Sequence, residues 1–198
     1  MKKYSLAALA ALAVAAVIVA ISWPDASGVG GSCAQSLSGV KGFQASANAD
    51  LPLDLPLYAG LDETETSLRA HAGKALVVNF WATWCGPCVE EMPTLVKLKQ
   101  SKPDGIDVIA ISEDRDGAKV VAPFLAQNKW DDIGITVDRK GAMLRQLKLA
   151  GLPTTLLVSP DGKEVARLVG PAHWDSPEVG KILDACLKPR GTAPKDHG

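Results

Sequence analysis

A cysteine pair that follows directly on an apolar run constrains the fold of this chain more than any other stretch. The run from Ala75 to Trp81 predicts a buried strand, and the sequence Trp-Cys-Gly-Pro-Cys begins at Trp84. A helix is expected to begin at Cys85, where free backbone amides and the positive end of the helix dipole would stabilise a thiolate. Because the thiolate is the species that attacks disulfides, the pattern predicts a redox site formed by Cys85 and Cys88.

Structural zinc sites use the same cysteine spacing, so a metal site is the first alternative. A closed zinc site needs four ligands. The remaining cysteines, Cys33 and Cys186, lie far apart in the sequence, and the three histidines stand singly. The strand and helix predicted around the pair fit a redox motif better, so no metal and no cofactor are predicted.

The composition predicts one globular domain with appendages. The chain has 198 residues, of which 47% are hydrophobic, and this is enough to bury a sizeable core. Acidic and basic residues nearly balance, at 22 and 21, and no basic run beyond Lys2-Lys3 points to a nucleic acid. We therefore expect no nucleic-acid partner. We also expect a monomer.

The N-terminus predicts a membrane anchor. An uncharged stretch from Ser5 to Trp23 follows Lys2-Lys3, and as a helix its 19 residues would span about 28 Å, close to the thickness of a bilayer core. The lysines would stay in the cytoplasm and Trp23 would lie at the interface. The alternative is a cleaved signal peptide, with small-residue cleavage sites at 13–15 or 20–22. Either reading places the rest of the chain in the periplasm, and the first makes it a single-pass protein of the inner membrane.

The predicted domain organisation follows from these segments. Residues 1–24 form the anchor or signal segment, and residues 25–50, rich in Gly, Ser and Ala, form a flexible tether. Residues 51–188 form the folded domain. Residues 189–198, with almost no apolar side chains, form a disordered tail.

Strands and helices alternate along residues 51–188 in the α/β manner. Strands are predicted at Ala75–Trp81, 107–112 and 133–137, and as a hairpin at Thr154–Val158 and 164–169. Helices are predicted after Cys85, around 120–125, after Asp138 and over 179–187. This order predicts a thioredoxin-like fold, with a central mixed sheet flanked by helices, a central helix/strand insertion and an N-terminal extension.

Three motifs in the same order make the resemblance to a family specific. They are Asn-Phe-Trp-Ala-Thr-Trp-Cys-Gly-Pro-Cys at 79–88, Glu-Met-Pro at 91–93 and Gly-Leu-Pro-Thr-Thr at 151–155. The chain resembles the TlpA family of membrane-anchored periplasmic thioredoxins from about Leu51 to Leu187. The resemblance includes the insertion at 114–130 and the segment at 169–174.

The resemblance implies roles for the residues around the dithiol. Cys85 would be the exposed nucleophile, and Cys88 the buried resolving thiol that closes the redox disulfide Cys85–Cys88. Pro153 matches the family's cis-proline, which would expose the backbone of Leu152 for strand-like pairing with a substrate. An ordinary loop proline is the alternative. The substrate-binding residues implied are Trp84, Gly86, Pro87, Leu152 and Pro153.

Glu91 matches a family glutamate close to the active-site thiols. A carboxylate there would raise a thiol pKa and could carry its proton, so Glu91 is predicted to be catalytic. The alternative is a solvated carboxylate on the helix surface. Val89 stands where a basic residue is common in the family, which makes the field around Cys85 less positive.

Members of the family can carry a second, structural disulfide, and here it would join Cys33 to Cys186. An oxidising compartment permits such a bridge. The alternatives are a buried free Cys186 beside an exposed Cys33, or lipid attachment at Cys33. The residues before Cys33, Gly30-Gly31-Ser32, lack the aliphatic residue that a lipid-attachment motif expects.

The resemblance also implies the function: reduction of cysteine pairs in copper-delivery proteins or in the copper-binding subunit of cytochrome oxidase. A membrane carrier of the DsbD or CcdA type would supply the electrons. Cytochrome c maturation thioredoxins share the core motifs and give an alternative substrate, the cysteines of apocytochrome c. A copper-binding chaperone of the Sco type, with Cys85, Cys88 and His173 as ligands, is an alternative of another class.

Overall fold

The computed structural model describes residues 31–101, 103 and 105–188. Within these residues the strands are β1 (Phe43–Asp50), β2 (Leu57–Ala59), β3 (Thr64–Thr66), β4 (Ala75–Trp81), β5 (Ile106–Ser112), β6 (Thr136–Val137), β7 (Thr154–Val158) and β8 (Lys163–Val169). The helices are α1 (Gly31–Leu37), α2 (Gly86–Gln100), α3 (Ala118–Asn128), α4 (Ala142–Gln146) and α5 (Pro177–Leu187). Single turns of 3-10 helix occur at Leu68–His71 and Asp131–Ile133.

The described strands form one mixed sheet in the order β1-β8-β7-β4-β5-β6-β2-β3. Strand β4 pairs in parallel with β5 and antiparallel with β7. Strand β6 continues the parallel part, and the hairpin of β7 and β8 continues the antiparallel part. A mixed sheet flanked by helices confirms the predicted thioredoxin-like fold.

Helices and loops cover both faces of β4, which is why all seven of its residues are buried. Successive side chains point to opposite faces of a strand. Val77 and Trp81 therefore pack in the cluster that contains side chains of α2 and α5, such as Met92, Leu95 and Ile182. Val78 and Phe80 pack on the other face, in a second cluster that also contains Leu57, Leu68 and Met143.

The predicted flexible tether is wrong for residues 31–50, which form α1 and β1. Helix α1 packs against α5 through Cys33 and Leu37, both buried and one helical turn apart. Strand β1 pairs antiparallel with β8, Phe43 lying opposite Leu168. Two inward residues give too short an apolar pattern to predict a helix. Strand β1 is held by its backbone pairing with β8 and by Phe43, whose ring packs edge-on against Trp174. The ordered domain therefore begins before residue 51.

The predicted strand at 133–137 is also too long. Its first residue, Ile133, belongs to the 3-10 turn Asp131–Ile133, and only Thr136 and Val137 pair with neighbouring strands. The short strands β2 and β3 carry no periodic pattern that the sequence could have revealed. They form the last two strands of the sheet on the side of β6.

Among the helices of the described residues, none combines the length and the apolar character needed to cross a bilayer. The predicted anchor or signal segment and the predicted tail lie outside these residues.

A disulfide joins Cys33 in α1 to Cys186 in α5; the two Cα atoms are 4.6 Å apart, and the residues are 153 positions apart in sequence. It cross-links the first and last described helices and encloses all strands of the described sheet between its two ends.

We predict that the double substitution Cys33→Ser/Cys186→Ser lowers the free energy of unfolding by about 2–5 kcal/mol, because the cross-link restricts the unfolded chain over a long loop. Guanidinium unfolding of the purified protein measures the change. The control is Cys85→Ser/Cys88→Ser, which removes a disulfide that spans three positions and restricts the unfolded chain far less. Equal losses in the two double variants would contradict the prediction.

Candidate active site

Three loops meet at the edge of the sheet where β4 ends. Phe80 lies opposite Thr154, so the loop before β7 lies beside the loop after β4. The backbone amide of Gly170, just after β8, donates to the carbonyl of Pro153 at 2.9 Å. The parallel strands β5 and β6 end at the same edge. The carboxyl ends of parallel strands are where α/β folds place their sites.

The two cysteines of the pair lie at the start of α2 and form a disulfide, with the Cα atoms 5.3 Å apart. Cys85 is the N-cap residue and Cys88 lies within the first turn. Pro87 is tolerated between them because a helix leaves its first amides without intrahelical partners. Cys85 retains 6% of its surface and Cys88 none, so an approaching substrate reaches Cys85.

The first turn of α2 favours a thiolate at Cys85. It contains no acidic residue, and the N-cap side chain accepts no hydrogen bond in this disulfide form. Its amides therefore remain available to a negative charge on the Cys85 sulfur once the disulfide is reduced. Val89 follows without adding a positive charge.

The residues expected to bind substrate surround the exposed edge of the disulfide. Trp84 is 70% exposed, and Gly86 and Pro87 are exposed beside it. The Leu152–Pro153 peptide bond is cis, Pro153 is buried and Leu152 half-buried. Trp84 and Leu152 line the same groove, so the structure brings these residues together.

Glu91 is buried, so the solvated alternative for this residue is wrong. Its Oε1 accepts a hydrogen bond from the Asn79 side chain at 2.8 Å. Its Oε2 accepts two more, from the backbone amide of Ala172 and from the indole of Trp174, both at 2.9 Å. Burial raises the pKa of Glu91, and the three hydrogen bonds oppose the shift without cancelling it.

These contacts join α2, β4 and the loop before α5 through one carboxyl group. Glu91 lies three positions after Cys88 on the same helix, and residues at this spacing share a face. Asn79 also donates to the hydroxyl of Thr155 in β7, at 2.9 Å. Sequence reasoning missed Asn79 and Trp174, although a lone amide within an otherwise apolar strand is a signal that could have identified Asn79.

A second carboxylate that sequence reasoning missed holds the loop between β4 and the cysteines. Asp114 accepts hydrogen bonds from the Thr83 amide at 2.9 Å and from the Thr83 hydroxyl at 2.7 Å. The hydroxyl of Ser112 donates to the same carboxylate at 2.7 Å. Asp114 thereby fixes the backbone next to Trp84 and ties the end of β5 to the site.

Glu113, adjacent in sequence, is half-buried at the same edge. Its Oε1 is shielded from solvent and has no hydrogen-bond partner among the described residues. Burial raises the pKa of Glu113 to about 8, and the nearby Asp138 and Asp114 add to the rise, while Arg145 opposes it. At neutral pH this carboxyl group is therefore mostly protonated.

The remaining candidate ligands do not converge on the dithiol. His173 is exposed in the loop before α5, and His71 bonds Asp107 at 2.9 Å near the opposite ends of β4 and β5. Within residues 31–101, 103 and 105–188, no three His, Cys, Asp or Glu side chains are arranged to hold a metal ion.

Comparison with known proteins identifies the family: the chain belongs to the Redoxin family, which matches residues 30–183. Over 138 residues it is 35% identical to the thiol:disulfide interchange protein HelX of Rhodobacter capsulatus, covering 70% of this chain and 73% of HelX. It is 31% identical over 111 residues to the thiol-disulfide oxidoreductase ResA of Bacillus thuringiensis, covering 56% of this chain and 63% of ResA.

The fold is likewise similar to a solved structure. A crystal structure from Chlorobium tepidum, described as a thiol:disulfide interchange protein DsbE, matches with a TM-score of 0.57 and 28% identity over 70% of this chain and 96% of that one. These relatives confirm the resemblance to TlpA-like proteins with a thioredoxin fold. The chain is a thiol:disulfide oxidoreductase of this type.

The raised pKa of Glu113 predicts a specific pH dependence of stability. The unfolded chain releases this proton near its ordinary pKa and the folded chain only near 8, so the free energy of unfolding falls as pH rises between these values. Glu113→Gln should remove this part of the slope, and the variant should gain stability relative to the wild type over that range. Urea unfolding at a series of pH values measures both.

The control is Glu90→Gln, the same chemical change at an exposed position of α2, which should leave the slope in place. A stability difference between Glu113→Gln and the wild type that stays constant from pH 4.5 to 8 would contradict the assigned pKa.

Proposed function

We propose that this chain is a membrane-anchored periplasmic reductant of protein cysteine pairs. Its substrates are copper-delivery proteins or the copper-binding subunit of cytochrome oxidase. The single observation that carries the proposal is the dithiol itself. Cys85 lies at the N-terminus of α2 with the fully buried Cys88 behind it. The exposed Trp84 and the cis-Pro153 loop flank the reachable sulfur.

The chemistry is a pair of thiol–disulfide exchanges. The Cys85 thiolate attacks one sulfur of a substrate disulfide, and the other substrate sulfur leaves as a thiolate and takes up a proton. The Cys88 thiol then loses its proton, and its sulfur attacks Cys85 and releases the second substrate thiolate. Two electrons pass to the substrate. The reduced substrate gains two protons. One balances the proton that Cys88 loses, and the other balances the proton that Cys85 had released to solvent.

Glu91 is positioned to serve the second step. Cys88 has no contact with solvent, so its proton needs an acceptor inside the protein. Glu91 lies one turn further along the same face of α2, and burial raises the pKa of its carboxyl group. The donors from Asn79 and Trp174 hold its carboxyl group in one orientation.

The direction of electron flow is inferred from the Gly-Pro dipeptide between the cysteines. Thioredoxin shares this dipeptide and has a reduction potential of roughly −270 mV, whereas the periplasm is kept oxidising. A protein with so low a potential is kept reduced there only by a continuous supply of electrons. We therefore assign a membrane thiol carrier of the DsbD or CcdA type as its donor.

Export is supported by the disulfide between Cys33 and Cys186, because disulfides of this kind persist in oxidising compartments. The uncharged stretch from Ser5 to Trp23 has the length of a bilayer span and would retain the chain in the inner membrane.

The assignment of copper proteins as substrates has two supports. Copper ions bind thiolates and not disulfides, so a copper centre in an oxidising compartment cannot assemble until its cysteines are reduced. The segments that resemble TlpA at 114–130 and 169–174 both adjoin the dithiol. Asp114 holds Thr83, and Gly170 holds the carbonyl of Pro153.

We predict that Cys88→Ser accumulates mixed disulfides with substrates in cells and that Cys85→Ser accumulates none. Without Cys88 the first exchange still occurs, but no internal thiol resolves it. Non-reducing electrophoresis of alkylated periplasmic protein, followed by identification of the trapped partners, measures the outcome. Equal trapping by the two variants would contradict the assignment of Cys85 as the nucleophile.

For the substrate class, we predict that a deletion strain has low copper content in its oxidase and normal c-type cytochromes. Complementation with the wild-type gene restores the copper, and complementation with the Cys85→Ser variant does not. Loss of c-type cytochromes with normal oxidase copper would indicate cytochrome c maturation instead. A stoichiometric Cu(I) site in the reduced protein that is lost in His173→Ala would indicate a copper-binding module.

A further inference from the structure

A groove of about 770 Å³ opens directly beside the dithiol, at the edge where β4, β5 and β6 end. Its lining includes Trp84, one residue before Cys85, and Leu152, one residue before Pro153. The rest of the lining comes from residues that follow β5 and β6, from α4 and from the loop before β7. We call this depression the basic groove, for its charged residues: Arg115, Arg139, Lys140 and Arg145.

The positive charge of the basic groove is largely uncompensated. Arg139 forms an ion pair with Glu63 at 2.8 Å. Arg115, Lys140 and Arg145 are exposed and form no ion pair with any described residue. The one carboxyl group in the lining belongs to Glu113, whose raised pKa keeps it mostly neutral at pH 7.

The other acidic residues close to these cations do not face the groove. The carboxylate of Asp114 accepts hydrogen bonds from Thr83 and Ser112. The carboxylate of Asp138 accepts hydrogen bonds from the backbone amides at the start of α4, at 2.9 Å from Ala142. Asp116 lines the depressions next to the basic groove but not the groove itself.

This charge is a local feature, since the whole chain has a formal net charge of −1. Leu144, Leu149 and Leu152 supply apolar surface between the cations. A concave site that combines apolar side chains with several cations suits a polypeptide segment with acidic side chains. A bilayer would need a flat or convex surface and could not enter the groove.

We propose that the basic groove binds an acidic segment next to the cysteine pair of the protein substrate, and that it selects substrates by this charge. The inference rests on the proposed reductase function and specifies its substrates as proteins with acidic residues beside the cysteine pair. A substrate strand that lies across Leu152 with its cysteine at Cys85 continues past Trp84 into the groove. Acidic side chains on that strand would meet Lys140 and Arg145.

The test uses the full chain, reduced and freed of reductant, and three synthetic peptides that each contain one internal disulfide. The peptides differ only in the residues beside the cysteines, which are Glu, Gln or Lys. At low ionic strength we expect the acidic peptide to be reduced with a kcat/KM about tenfold above the neutral one, and the basic peptide to be slowest. Added salt should reduce these differences.

The variant Lys140→Glu/Arg145→Glu should abolish or invert this preference, measured as the ratio of kcat/KM for the acidic peptide to that for the neutral peptide. The matched control, Lys41→Glu/Lys181→Glu, makes the same change in net charge at exposed positions outside the groove and should keep the preference. Arg115→Glu alone should weaken it, and this variant provides the test if the double variant fails to fold.

Equal rates for the three peptides with the wild-type chain would overturn the groove assignment and leave the reductase function intact. An equal loss of preference in the groove and control variants would also overturn it, because the effect would then follow net charge alone. Failure of the wild-type chain to reduce any of the peptides would instead count against the reductase function, and the groove assignment would fall with it.

Discussion

The hydrogen-bond pairing of β4 with both of its neighbours is the constraint on which the site depends. Because β5 runs parallel to β4, the loops that follow them leave the sheet at the same edge. Because β7 runs antiparallel, its beginning reaches that edge too, and the cis-Pro153 loop lies beside the end of β4. The dithiol, the backbone at cis-Pro153 and the basic groove thus share one edge of the sheet.

The buried carboxyl group of Glu91 shows how the polar part of the core is balanced. An ionised carboxylate at this depth would be costly, and each donor that faced it without a partner would also be costly. Three hydrogen-bond donors, one from β4 and two from the loop before α5, reduce the first cost, and each of them gains a partner. These hydrogen bonds hold the loop before α5 against α2, and they leave a titratable carboxyl group one helical turn from Cys88.

The parts of the structure that could be predicted from the sequence have a local signal. Each of these signals lies within a dozen residues: the apolar run of β4, the cysteine spacing at the start of α2 and the apolar stripe of α5. All three elements occur where they were expected. The contacts of Asn79, Trp174 and Asp114 join positions far apart in the chain, and no periodicity reveals them. Helix α1 and strand β1 were hidden because Gly, Ser and Ala dominate their sequence.

The bridge between Cys33 and Cys186 has a mechanical consequence. Strand β1 lies at the edge of the sheet and is held on one side only. Without a cross-link, a pull on the N-terminal end would detach α1 and then peel β1 away from β8. The covalent link lies ahead of β1 in the chain, so tension arriving at α1 passes directly into α5 and the core beneath it. A domain attached to a membrane at its N-terminus would carry such a load without losing the edge of its sheet.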